Sequence, residues 1–188
     1  MKIFILITFL VIPFTTRADD MKGKFFITPI IGLERVQKFE PTSSMKTRAI
    51  YGVRATYKFP ISALEGEYTH AQDSSSATSL GVTTYYKDSE DKLRLGLRGE
   101  ATLTTFASTY LRGGAQYRRN EHTTTVGTSA SSSSTSSKVQ PYVGTGLFIS
   151  FSQYFSLTFD ILATYTPTND ANLKDYELQP SLGIALRF

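Results

Sequence analysis

From residue 176 to the end of the chain, every second position is apolar or aromatic: Tyr176, Leu178, Pro180, Leu182, Ile184, Leu186 and Phe188. Between them stand Glu177, Gln179, Ser181, Gly183, Ala185 and Arg187. A sustained period of two predicts an extended strand with one apolar and one polar face. The same alternation predicts seven further strands, over 24–36, 47–59, 61–71, 91–101, 105–118, 139–151 and 154–165. Their apolar sides carry, for example, Phe25, Ile27, Ile31 and Leu33 in the first and Leu93, Leu95 and Leu97 in the fourth. The connections alternate in length. Short turns fall at Pro60, around Leu103 and at Ser152-Gln153, and longer polar stretches centre on Thr42, Ser75, Ser131 and Asn169. An up-and-down meander gathers the short turns at one end and the long loops at the other, which is the pattern of membrane-spanning barrels.

The N-terminus changes the compartment. Lys2 precedes an almost unbroken apolar run over residues 3–14, and Thr16-Arg17-Ala18 offers small residues at a cleavage site before Asp19. That is the layout of a secretory signal peptide over 1–18, leaving a barrel domain over 19–188. The run is too short for a spanning helix, which needs ~20 residues. A membrane protein without such helices must be a closed barrel, because only helices and barrels satisfy every backbone group in lipid. The full chain has 20 Lys and Arg against 16 Asp and Glu. Loss of Lys2 and Arg17 leaves 18 against 16, a net charge of +2, which does not suggest a nucleic-acid-binding protein. Cysteine is absent, so disulfides and thiolate metal sites are excluded. The slightly negative mean hydropathy suits a barrel whose strands each turn one face inward.

An aromatic at the C-terminal position of an alternating strand resembles the closing strand of bacterial outer-membrane barrels. Over its whole mature length the chain resembles the small eight-stranded barrels of the OmpA transmembrane-domain and OmpX type. The resemblance implies an all-β, eight-stranded antiparallel transmembrane barrel in the outer membrane, surrounded by lipid and lipopolysaccharide. It implies that Tyr176, Leu178, Leu182, Ile184, Leu186 and Phe188 form a signal read by the β-barrel assembly machinery. No further domain is expected after Phe188.

Which face meets lipid is decided by composition. The polar faces mix charges with Gly32, Gly52, Gly96, Gly114, Ser181, Gly183 and Ala185. Small residues with a few long charged ones suit a narrow lumen, which eight strands leave just wide enough for side chains to fill. Tyr51, Tyr57, Tyr68, Tyr117, Tyr165 and Tyr176 then lie outside, as an interfacial belt. Buried charges need partners. Arg54, Lys58, Glu65, Glu67, Arg94, Arg98, Arg112 and Asp160 all point inward on this reading. Glu67 is expected to pair with Arg94, and Glu65 with Arg54 or Arg98, in an ionic plug. Pro29, Pro141 and Pro180 interrupt strands, and two of them lie on the first and last strands, which must join.

Catalytic chemistry has little to work with. His70 and His122 are expected in or beside loops, without a matching nucleophile or metal-ligand spacing, and no cofactor is implied. Residues 123–137 are almost entirely Ser and Thr, with little to bury, and are expected to be disordered. The resulting expectation is a non-enzymatic scaffold that displays loops, with adhesion or recognition of an extracellular ligand through them. A narrow pore for solutes or ions and an envelope enzyme acting on lipid or peptide are the alternatives. A soluble lipocalin-like carrier would require the opposite choice of faces.

Overall fold

The computed structural model describes residues 24–38, 44–59, 62–79, 81–127, 129–136, 139–166 and 176–187. The expected signal peptide, Pro60, the stretches at Thr42 and Asn169, and Phe188 lie outside the described residues. The described residues form nine antiparallel strands: β1 (Lys24–Lys38), β2 (Ser44–Lys58), β3 (Ser62–Ser79), β4 (Val82–Thr102), β5 (Ala107–Val126), β6 (Ser129–Ser136), β7 (Gln140–Ser150), β8 (Phe155–Tyr165) and β9 (Tyr176–Arg187). Eight of them close a ring in the order β1-β2-β3-β4-β5-β7-β8-β9, with β9 returning to β1. Closure leaves this ring no unpaired edge.

The faces lie as composition requires. Leu95, at 61% exposed, faces outward with Leu93, Leu97 and Leu111. Arg54, Arg94 and Arg112, each 1% exposed, face inward. The exterior is therefore apolar and the interior ionic, the arrangement of a transmembrane barrel. The six tyrosines of the expected belt are all exposed on the outside.

The seam between β1 and β9 closes unevenly. Its register includes Ile27↔Leu186, resumes at Ile30↔Gly183, runs to Gly32↔Ser181 and resumes at Arg35↔Leu178. The two gaps fall at Pro29 and Pro180, where a ladder donor is missing.

Three expectations are corrected. The third and fourth strands do not end at 71 and begin at 91. They continue as one long hairpin, paired as far as Ser79↔Val82 and turned beside Gly81 at φ 78°. The fifth strand runs on to Val126. The Ser/Thr tract is not disordered where it is described: Thr123–Val126 end β5, Gly127 turns at φ 58°, and Ser129–Ser136 pair back along β5 as β6. Composition measured how little these residues can bury. An edge strand laid on an existing template needs only its backbone hydrogen bonds, and serine supplies those as well as any residue.

A consequence is a sheet that leaves the barrel. β2 stays with β3 only up to Ile50↔Ala71, and β7 stays with β5 only up to Gln116↔Gln140. Above those levels β3, β4, β5 and β6 run on as a four-stranded sheet at the long-loop end. Eight residues of β4 beyond the barrel rise ~25 Å along the strand, at ~3.3 Å per residue.

Candidate functional site

Many inward residues of β2–β5 are long and charged, while many facing them from β1 and β7–β9 are small. Gly144, Gly146, Thr158, Ser181 and Gly183 make room for what crosses the lumen. A Cβ at Gly146 would lie 2.6 Å from the Tyr110 ring, so glycine is required there by packing.

At mid-height three arginines meet three carboxylates. Glu67 accepts from Arg54 Nε at 2.7 Å, from Arg112 Nη1 at 2.7 Å and from Arg94 Nη1. Arg54 Nη1 reaches Asp160 on β8 at 3.0 Å, and Tyr110 Oη donates to the same carboxylate. Arg94 Nε donates to Gln116 at 2.6 Å, and its Nη2 donates to Gln179 on β9 at 2.6 Å. β4 and β9 are diametrically opposite in the ring, so the Arg94 and Gln179 side chains together bridge the lumen.

Nearer the long-loop end a second set of three cations meets three carboxylates. Arg48 binds Glu34 at 3.1 Å and also Glu90. Lys92 contacts Glu34, Glu90 at 3.0 Å and Glu177 at 3.7 Å, and Arg118 binds Glu177 at 2.9 Å. Each layer is charge-balanced, which is what ions removed from water require.

The structure brings together Arg54, Glu65, Glu67, Arg94, Arg112 and Asp160 in the central layer. Lys58 and Arg98 lie apart, at the short-turn end, and share Glu100 at 3.2 and 3.4 Å. The pairing of Glu65 with Arg54 or Arg98 is corrected: Glu65 binds Arg112 of β5, at 3.1 Å, across β4. Strand adjacency suggested neighbouring partners, whereas a long guanidinium in a narrow lumen spans past one strand. The sequence reading missed Glu34, Arg48, Glu90, Lys92, Arg118 and Glu177. Their signal was present, since each shares the parity of an inward residue already identified on its own strand.

The histidines are also corrected. His70 lies within β3 on the outer surface, its Nδ1 2.8 Å from Asp91, which also accepts from Tyr68 Oη at 2.6 Å. His122 lies within β5 on the inward-facing side of the projecting sheet, with Nδ1 against Asp88. Tyr176, Leu178, Leu182 and Ile184 are exposed and Leu186 is half-buried, all on the outer face of β9.

An apolar exterior around a charge-filled ring of eight antiparallel strands decides the architecture. The fold is that of the small outer-membrane β-barrels. Among solved structures, the chain is similar to the attachment invasion locus protein Ail of Yersinia pestis (TM-score 0.57, 16% identity, 89% of this chain and 100% of that one). It is also similar to Neisserial surface protein A (TM-score 0.57, 13% identity, 89% and 99%) and to CarO of Acinetobacter baumannii (TM-score 0.52, 13% identity, 85% and 97%). No protein-family model matches the chain, and no curated protein matches it in sequence.

Proposed function

We propose that the protein is a non-enzymatic barrel of the outer membrane, exported by a signal peptide over 1–18, that carries a recognition surface outside the cell. The observation that carries this reading is the projecting sheet. Among the described residues β6 has a strand neighbour on one side only, and every residue of it is exposed. An open edge presents unpaired N–H and C=O groups, on which an extended segment of a partner adds as a further strand. A barrel with this edge raised above the membrane is a rigid mount for such a contact. The likeness to Ail supports an external ligand in kind, since that protein has been crystallised with the heparin analogue sucrose octasulfate. Lipid and lipopolysaccharide would surround the belt. The outward residues Tyr176, Leu178, Leu182, Ile184 and Leu186, with Phe188, would serve the assembly machinery.

The pore reading is disfavoured by the Arg94–Gln179 bridge across the lumen. The test has two stages. A heat-shift gel on purified outer membranes should show a fast-migrating unboiled form. Bacteria expressing the chain should then adhere to immobilised extracellular-matrix protein, and deletion of residues 129–136 should remove adhesion while keeping the heat shift. Unchanged adhesion in the deletion variant would remove the projecting sheet from the proposal.

A further inference from the structure

The charge balance of the two upper layers fails at the short-turn end. There the lowest inward residues of seven strands form a cup of about 170 Å³, with Phe26, Lys58, Glu100, Ser108, Phe148 and Arg187 among its walls. Among the described residues, two cations, Lys58 and Arg187, line the cup with one carboxylate, Glu100, and Arg98 reaches that carboxylate from behind at 3.4 Å. That carboxylate is already engaged by Ser108 Oγ at 2.6 Å as well as by Lys58 and Arg98. Arg98 lies just behind the cup, against two of its walls, Glu100 and the Phe148 ring. It is 5% exposed, its guanidinium lies 3.9 Å from the Tyr110 ring centroid, and its Nε has no hydrogen-bond partner among the described residues. A buried guanidinium with an unmet donor is a costly arrangement unless something supplies an acceptor.

The turns at the rim add donors. Thr104 Oγ1 accepts from the Ala107 amide at 3.0 Å, and Ser152 Oγ accepts from the Tyr154 and Phe155 amides at 3.2 and 3.1 Å. A hydroxyl that accepts from a backbone amide keeps its own hydrogen to donate. Both hydroxyls line the cup. Cations and hydroxyl donors thus outnumber carboxylates in a space with room for several water molecules.

We propose that this cup is an anion-binding pocket that takes a phosphate group. Phosphate offers several acceptor oxygens to converging donors and neutralises the excess of positive charge. The group comes either as the free ion or on the headgroup of a phospholipid in the adjacent leaflet. The outer-membrane reading fixes only which compartment the cup faces, the periplasm; binding itself is independent of it.

The test uses the full mature chain refolded in dodecyl maltoside, with amide NMR shifts of Glu100, Thr104, Ser108 and Ser152 followed against sodium phosphate. Sodium chloride at matched ionic strength is the control. Saturable shifts with phosphate alone are expected, and Lys58→Gln and Arg187→Gln should each weaken binding at least fivefold. Both variants leave the central network intact, so a retained heat shift certifies their fold. Shifts reproduced by chloride, or an affinity unchanged in both variants, would overturn the proposal. Repetition in phosphatidylglycerol nanodiscs separates the sources. Pre-shifted resonances that ignore added phosphate identify a headgroup, and a titration like that in detergent identifies the free ion. A chain that shows no heat shift at all fails the barrel reading, whereas a heat-shifting chain without phosphate binding fails only the pocket.

Discussion

Glu67 is the residue on which the lumen is centred. Three arginines donate to it, so Glu67→Gln leaves a cluster of buried guanidiniums short of their principal counter-charge. Removing one partner of a buried ion pair costs about 3–5 kcal/mol. The variant should lose stability on that scale in urea unfolding from lipid vesicles, and an unchanged midpoint would dismiss the network as a structural element. Gly146 makes the complementary prediction. Tyr110 packs over it, so Gly146→Val should cost ~1–3 kcal/mol through overpacking, read by the same unfolding curve. Glu67 was visible in the sequence as an inward position, whereas Gly146 was not singled out there. What neither revealed locally was the partner, because Glu67 meets side chains from β2, β4 and β5, and Tyr110 reaches its glycine on the adjacent β7.

At the scale of the strand, the alternation of apolar and polar positions carries the energetics. Leu95 sits in the middle of the lipid-facing side of β4, flanked by Leu93 and Leu97. Leu95→Arg should destabilise the barrel by about 2–4 kcal/mol, the penalty for a cation near the bilayer midplane. The same change at Tyr85, exposed on the projecting part of β4, should be nearly neutral, and equal effects at both sites would refute the assignment of membrane depth. The closing seam yields to the opposite experiment. Replacing Pro180 with valine restores a ladder donor beside β1 and should stabilise by about 1 kcal/mol, visible as a higher unfolding midpoint. Strand positions and faces were legible because a period of two survives in each segment. The upper halves of β3, β4 and β5 were not, since polar residues on both faces erase the alternation once a strand leaves the membrane.

For the whole molecule, two balanced ionic layers and the bridging Arg94–Gln179 pair predict a lumen without steady conductance. Purified protein in planar bilayers should give no stepwise current, and reproducible single-channel steps would restore the pore reading. The molecule then divides by height. A short-turn mouth carries excess positive charge, the middle is neutral and packed, and a four-stranded sheet rises from the other end with open edges at β6 and at the upper part of β3.

The sequence alone determined the number of strands in the ring, their antiparallel order and which face of each is polar. Backbone hydrogen bonding and the two-residue repeat act locally, so they are written locally. Tertiary structure decided the rest. Glu65 met Arg112 instead of Arg54 or Arg98, and six further charges joined the lumen, because partner choice across a barrel depends on its width and stagger and on the reach of each side chain. The serine tract became β6 because β5 offered an edge beside it, and a template supplied by another strand leaves no mark in the composition of the strand that uses it.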